Sequence, residues 1–150
     1  MMLTPEMTRI IKDFSGGAVA TVNDNGTPSV STKATFVVVD EKTIAFGNLR
    51  SPGTVANLNV RPAVEVCFLD VLKRKAVRVT GKGRLIATNQ AESAVLDAFE
   101  RDWADYIKRM DGFVVIDVRA AELILSPAYD TGAIEAELHA VNLKKLNMIE

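Results

Sequence analysis

Short runs of strand-forming residues follow one another along this chain, with only brief turns between most of them. The first run covers residues 18–22, and the Asn25-Gly26 pair after it is a strong hairpin signal. A long second run covers about 28–39, and Asp40-Glu41-Lys42 then turns the chain into a third run at 43–46. Runs joined this closely pair antiparallel, because a parallel neighbour needs a crossover of a dozen or more residues.

Three more runs complete a predicted set of six strands, at about 63–69, 76–86 and 113–118, and residues 123–126 extend or follow the last. Helical patterns fall between or around them, at the N-terminus, after Ser51, over about 90–110 and over 134–146. The order argues against a series of strand-helix-strand units. A mainly β (α+β) fold follows, with an antiparallel, closed or nearly closed small barrel and flanking helices.

The stretch 46–62 is the one place where the pattern predicts a ligand. It reads as a strand end, a turn and a short helix with Ser51 at its N-cap and Pro52 in its first position. The unpaired amides at such a helix start can bind phosphate. Thr54 adds a hydroxyl, and Arg50 adds a guanidinium group. An ordinary capped helix with an exposed arginine explains the same residues.

Composition excludes several classes of function. The chain has 150 residues, 48% hydrophobic and 25% charged, which fits a single domain over 1–150. A net charge of -1 gives no general attraction to nucleic acid or to a membrane surface. Charged residues interrupt the N-terminus, so no signal peptide is expected, and no apolar run has the length of a membrane span. A cytoplasmic location is the expectation.

Cysteine and histidine are too few for most catalytic or metal sites. Cys67 is the only cysteine and lies in an alternating strand pattern, where it reads as a packing residue. His139 is the only histidine and lies near the polar C-terminus. A catalytic triad that uses His139 has little support, and no group of histidines and cysteines has the spacing of zinc ligands. No metal site is therefore predicted.

Four motifs in order resemble the pyridoxamine 5′-phosphate oxidase-like, FMN-binding split barrels, over about residues 18–86 and more loosely to 118. Pro-Ser-Val-Ser-Thr-Lys at 28–33 resembles the start of the long flavin-contacting strand. Phe-Gly-Asn-Leu-Arg-Ser at 46–51 resembles the aromatic-x-Asn-x-x-Ser segment before the phosphate-binding helix, and 58–62 resembles its Leu-x-x-Asn-Pro ending. Residues 75–81 resemble the Arg-Gln-Val-Arg-Val-Glu-Gly strand of the oxidases.

The resemblance implies a six-stranded antiparallel split β-barrel that forms a homodimer, with FMN in clefts between the two barrels. It also favours the phosphate interpretation of the helix start. Ser31, Thr32 and Lys33 would then lie along the flavin, some through backbone groups. Asn48 and Leu49 would border the ring and the ribityl chain. The phosphate would be held by Arg50, Ser51 and Thr54, with Lys33 as a second cation.

Departures from the family pattern argue against a true vitamin B6 oxidase. The oxidases have Ser-Arg-Lys at the helix start, whereas this chain has Ser51-Pro52-Gly53, so Arg50 must replace two missing cations. Ala76 stands where the oxidases have a flavin-contacting Gln, and the C-terminal Trp and Arg-x-His-type segment are absent.

Three functional hypotheses remain open at this point. The first is an FMN-dependent oxidoreductase of unknown small-molecule substrate, for which the sequence identifies no catalytic acid or base. The second is a non-catalytic flavin carrier or sensor. The third is another cofactor on the same barrel, such as a deazaflavin or haem, although a single histidine gives little support to haem.

Overall fold

The computed structural model describes residues 2–150, which form one antiparallel sheet of seven strands with four α-helices. None of these helices is long and apolar enough to cross a membrane. The strands are β1 Gly17–Val22, β2 Pro28–Lys33, β3 Val37–Asp40, β4 Thr43–Gly47, β5 Ala63–Asp70, β6 Lys75–Ile86 and β7 Phe113–Leu125. The helices are α1 Pro5–Asp13, α2 Pro52–Val60, α3 Ser93–Trp103 and α4 Glu135–Asn147.

The sheet is curled into a barrel that hydrogen bonds do not close. Its strand order is β2-β1-β5-β6-β7-β4-β3, so β2 and β3 lie at opposite ends of the order. Only residues 34–36 join them, a connection that spans at most roughly 14 Å. In a flat sheet the same two edges would stand about 29 Å apart. The sheet must therefore curl until its edges approach, which confirms the split-barrel prediction.

The prediction of one long strand over 28–39 was wrong, and it explains the count of six strands instead of seven. β2 pairs with β1, whereas β3 pairs with β4 on the far side of the gap. Between them the Thr35 hydroxyl accepts a hydrogen bond from the amide of Gly47 at 3.0 Å. None of Ala34, Thr35 and Phe36 is a typical turn residue, so no local pattern indicates that the chain changes sheet edge there.

Two apolar clusters stabilise the barrel. The larger fills its interior and includes the rings of Phe36, Phe46 and Phe68. Phe36 contacts both of the others, with ring centroids 5.1 and 4.7 Å apart. The smaller cluster packs α3 on the outside of the sheet, where Phe99 stacks on Phe113 at 4.3 Å.

The predicted helix over 90–110 is shorter and begins later. Residues 88–90 form a single 3-10 turn, α3 starts after Glu92, and residues 104–109 continue as a 3-10 helix. Glu92 occupies the N-cap position of α3, and its side chain makes no capping hydrogen bond. At the far end the Trp103 indole donates to the Phe36 carbonyl at 3.1 Å, which fixes that ring against the strand connection.

The two glycines of β6 allow neighbouring groups to approach the strand closely. The register of β6 against β7 shifts between Thr80 and Gly81, which is a β-bulge. A Cβ at Gly81 would lie 2.3 Å from the Asp117 carbonyl oxygen. A Cβ at Gly83 would lie 3.0 Å from a methyl group of Leu58, so this glycine lets α2 pack directly on the sheet.

Ion pairs attach α4 to the barrel. Lys75 lies between Glu6 of α1 and Glu135 of α4, and its Nζ is 3.0 Å from the Glu135 carboxylate. Its hydrogen bond to Glu6, and then that to Glu135, raise the pKa of Lys75, and the bond to Lys75 lowers the pKa of Glu135. The attachment therefore weakens as pH falls through the folded pKa of Glu135, and again as pH rises through that of Lys75.

Candidate cofactor-binding site

The loop between β4 and α2 carries four of the predicted site residues, the last of which, Ser51, is the N-cap of α2. The Asn48 amide donates to the Gly112 carbonyl at 2.9 Å, and the Asp111 amide donates to the Asn48 carbonyl at 2.8 Å. These two bonds fix the backbone of Asn48 against the segment before β7. The side chains of Leu49 and Arg50 are exposed beyond it, and Leu49 is 38% exposed.

The start of α2 is uncapped by any side chain. Ser51 occupies the N-cap position as predicted, but its hydroxyl makes no capping hydrogen bond, which corrects that part of the expectation. Pro52 takes the first helical position, and no acidic residue lies in the first turn. The first-turn amides and the positive end of the helix dipole are therefore left without a protein anion.

β2 brings its alternate side chains to this helix start. Ser31 and Lys33 are half-buried, whereas Thr32 between them points to the exposed outer face. The hydroxyl oxygens of Ser31 and Thr54 are 3.2 Å apart, so β2 and the first turn of α2 are in direct contact. β2 is an edge strand, because only β1 pairs with it. Its outward backbone groups are thus free to bind a ligand.

Two cations near this point have no acidic partner in the part of the chain that the structure describes. Lys33 lies two residues after Ser31 on the same face of β2, and burial lowers the pKa of its amine. Arg50 is exposed immediately before the helix start. Within residues 2–150 neither side chain makes an ion pair. A partly desolvated lysine without a counter-charge is costly unless an anion binds beside it.

A polar network that the sequence analysis missed holds α2 against β1. The Asn57 amide nitrogen donates to the Thr21 hydroxyl and to the Asn23 side-chain oxygen, both at 3.0 Å. One turn later the Arg61 guanidinium donates to the Val22 carbonyl at 2.9 Å and pairs with Asp24 at 2.8 Å. The signal was available, because Thr54, Asn57 and Arg61 form a polar stripe at helical spacing.

Removing the Asn57 amide is expected to destabilise the protein. Asn57→Ala leaves the buried Thr21 hydroxyl without its partner, which costs about 1–3 kcal/mol of unfolding free energy. Asn59→Ala is the matched control, since Asn59 is exposed on the same helix and should change stability by less than about 0.5 kcal/mol. Urea denaturation measures both. Equal stability of the two variants would show that the network contributes nothing.

The predicted residues thus fall into three groups. The structure brings Ser31 and Thr54 into contact and places Lys33 on their face of β2, and it sets Ser51 at the helix start with Asn48, Leu49 and Arg50 in the loop before it. Thr32 points the other way, so only its backbone could reach a ligand on that face. The ligand-binding roles of these residues stay predictions.

Known proteins share this architecture. A Group A Streptococcus HupZ structure covers 83% of this chain and 96% of its own, with 22% identity and a TM-score of 0.70. An FAD-binding protein from Mesorhizobium loti covers 82% and 93%, with 16% identity and a TM-score of 0.62. An F420 reductase covers 71% and 88%, with 23% identity and a TM-score of 0.54. These similarities show a common fold.

A search of curated proteins gave no match. A sequence model of the family described as pyridoxamine 5′-phosphate oxidase, however, matches residues 3–126, which include all seven strands and the first three helices. The match agrees with the curled antiparallel sheet and with the four motifs in its strands and at the start of α2. The chain belongs to the pyridoxamine 5′-phosphate oxidase family.

Proposed function

We propose that the protein binds FMN, with the phosphate at the start of α2, and that it acts as an FMN-dependent oxidoreductase. The observation that carries the proposal is the charge imbalance at this point. An uncapped helix start adjoins two hydroxyls that are in contact, and no acidic residue lies in the first turn of the helix. Lys33 and Arg50, on the adjoining strand and loop, have no ion pair within residues 2–150. This set of donors fits a phosphate dianion.

Each residue of the proposed site contacts either the phosphate or the rest of the flavin. First-turn amides and the Ser51 and Thr54 hydroxyls hold the phosphate oxygens. Arg50 supplies positive charge in place of the two cations that the oxidases have at the helix start. The free backbone edge of β2 at 31–33 lies along the flavin, and Asn48 and Leu49 border it. Lys33 approaches from the half-buried face, where burial lowers the pKa of its amine.

Bound FMN supplies hydride or single-electron transfer, while the protein binds it, orients it and excludes water. We assign no catalytic acid or base. A small-molecule substrate would have to approach the flavin from its exposed side. The name of the Mesorhizobium loti neighbour, an FAD-binding protein, supports a flavin-type cofactor on this barrel.

The proposal includes a homodimer with FMN in clefts between two barrels. Supporting features lie beside the site: β2 has an unpaired edge, Val30 on its outer face is 67% exposed, and Leu49 is exposed in the adjoining loop. A second copy over this region would bury these apolar groups and enclose the flavin.

A deazaflavin is the second candidate cofactor, and the F420 reductase neighbour is the observation in its favour. A non-catalytic flavin carrier would use the same residues. Steady oxidation of a nicotinamide donor in the presence of an electron acceptor distinguishes an enzyme from a carrier, since a carrier gives no turnover.

The test is a titration of the purified protein with FMN and with riboflavin, followed by visible absorption and flavin fluorescence. Lys33→Gln and Arg50→Gln are each expected to weaken FMN binding about tenfold, because each removes a charged hydrogen-bond donor to phosphate. Riboflavin lacks the phosphate, so its weaker binding should not change. Lys108→Gln removes an exposed cation from the 104–109 helix and is the matched control.

Three results would contradict the proposal. The wild-type protein could leave the spectra of both flavins unchanged, which would exclude a flavin site. FMN and riboflavin could bind equally, which would exclude phosphate recognition. Finally, Lys33→Gln and Lys108→Gln could bind FMN with the same affinity, which would exclude the assigned position of the phosphate.

A further inference from the structure

Thr35 connects the two sides of the gap in the barrel, and both sides carry residues of the proposed site. Lys33 ends β2 on one side, two residues before Thr35. Gly47 ends β4 on the other side, directly before the 48–50 loop, and its amide donates to the Thr35 hydroxyl at 3.0 Å. We propose that Thr35 is a positioning residue, which sets Lys33 and the 48–50 loop at the separation that FMN requires. This inference rests on the proposed function.

Thr35 occupies the position at which the pairing of β3 with β4 would continue. Val37 lies opposite Ala45 in this pairing, and the same register extended by two residues places Thr35 opposite Gly47. The strand pairing ends before that point, because the chain leaves β4 there and crosses to β2. The Thr35 hydroxyl therefore replaces the backbone carbonyl that would accept from the Gly47 amide in a continued sheet.

The backbone that leads into the 48–50 loop is held from two opposite sides. The Gly47 amide points across the gap to Thr35, whereas the next amide, that of Asn48, donates to the Gly112 carbonyl beside β7 at 2.9 Å. A Cβ at Gly47 would overlap the Met110 side chain, so Met110 packs directly on this glycine. Loss of the Thr35 bond therefore frees the loop on the gap side alone.

The connection that carries Thr35 is fixed at its other end. The Phe36 ring lies in the barrel interior, and the Phe36 carbonyl accepts from the Trp103 indole at 3.1 Å. Thr35 itself is 6% exposed, and so is enclosed by the fold. Only Ala34 separates it from Lys33, so the position of the Thr35 backbone determines where the Lys33 side chain begins.

The two groups that Thr35 joins are assigned to different parts of one ligand. In the proposed site Lys33 approaches the phosphate, whereas Asn48 and Leu49 border the ring and the ribityl chain. A ligand that contacts both sides binds more tightly when their separation is set before it arrives, because less ordering is needed on binding. A hydroxyl that only satisfied a buried amide would affect stability and leave the affinity of the folded protein unchanged.

Three variants separate positioning from stability. Thr35→Val replaces the hydroxyl with a methyl group and removes the acceptor for the Gly47 amide, whereas Thr35→Ser keeps that acceptor. Ile11→Val is the matched control, since Ile11 is fully buried in α1 and its truncation also destabilises the core. We expect Thr35→Val and Ile11→Val both to lower the melting temperature.

The measurement is fluorescence titration of each folded, full-length variant with FMN. Thr35→Val should weaken FMN binding about tenfold, whereas Thr35→Ser and Ile11→Val should bind FMN as the wild type does. In a Lys33→Gln background, Thr35→Val should weaken FMN binding by about threefold or less, because one of the two groups that it positions is already absent.

The outcomes distinguish this inference from the proposed function. A wild-type protein that binds no flavin would overturn both. If Lys33→Gln weakened FMN binding but Thr35→Val did not, the proposed function would stand and this inference would be wrong. Equal losses of affinity in Thr35→Val and Ile11→Val would show that affinity only follows stability, which would also overturn the inference. Effects of Thr35→Val and Lys33→Gln that simply multiply in the double variant would exclude positioning of Lys33.

Discussion

Phe36→Ala is expected to lower the free energy of unfolding by about 3–5 kcal/mol. Phe36 is 2% exposed and is the only large side chain in the connection between the two sheet edges. Its ring packs on Phe46 of β4 and on Phe68 of β5, which lie on different sides of the gap. Its loss leaves a cavity where the two halves of the barrel meet. Such a change is a large fraction of the stability of an ordinary domain.

Chemical denaturation followed by far-UV circular dichroism measures this effect. Phe36→Leu keeps most of the apolar volume and should recover more than half of the loss. Val60→Ala removes methyl groups from a side chain that is 68% exposed, and should cost less than about 0.5 kcal/mol. If Phe36→Ala and Val60→Ala unfolded at the same denaturant concentration, the role given to the connection would be wrong.

Gly112→Ala is the second change with a large expected effect, about 3 kcal/mol or more in unfolding free energy. Gly112 has a φ of 108°, and a Cβ there would lie 2.4 Å from the Ile86 carbonyl oxygen. The backbone must move, and the Gly112 carbonyl is the acceptor for the Asn48 amide. The substitution should therefore also displace the loop that carries Leu49 and Arg50.

Gly132→Ala isolates the contribution of the backbone conformation. Gly132 has a φ of 90°, but a Cβ would meet nothing within 4 Å, so only the conformational cost of about 1–2 kcal/mol applies. The difference between the unfolding free energies of Gly112→Ala and Gly132→Ala, measured by chemical denaturation, gives the cost of the clash with Ile86. FMN titration of Gly112→Ala, under conditions in which it is folded, then reports on the loop. Unchanged flavin affinity would mean that the loop does not depend on Gly112.

Local patterns in the sequence predicted most of the fold. Turn signals and alternation predicted four of the strands closely, and they predicted the start of β7, which continues unbroken to Leu125. The N-cap position and proline at 51–52 predicted the start of α2. The break at 34–36 could not be found in this way, because each of its residues suits a strand. The run is divided because the chain crosses from one edge of the sheet to the other. This crossing is a tertiary feature, and local strand propensity does not predict it.

The candidate site was predictable in part for the same reason. Ser31 comes from the motif at 28–33 and Thr54 from the helix start, and the family resemblance assigned both to one site. In the structure their hydroxyls are in contact. The missing cap at Ser51 could not be foreseen, since it depends on the backbone angles of that residue. The network around Asn57 was not predicted, because the polar stripe of α2, and not an apolar face, makes the contact with β1.

The order of the strands has a consequence for how the chain assembles as it is synthesised. β3 and β4 pair with each other, and their only further neighbour in the sheet is β7. This hairpin is complete by Gly47, but its neighbouring strand does not begin until Phe113. During synthesis the β3-β4 hairpin therefore cannot join the sheet until nearly the whole barrel has left the ribosome. Until then the sheet does not cover Ile44 and Phe46. Late closure of this kind favours slow folding and exposes the nascent chain to aggregation.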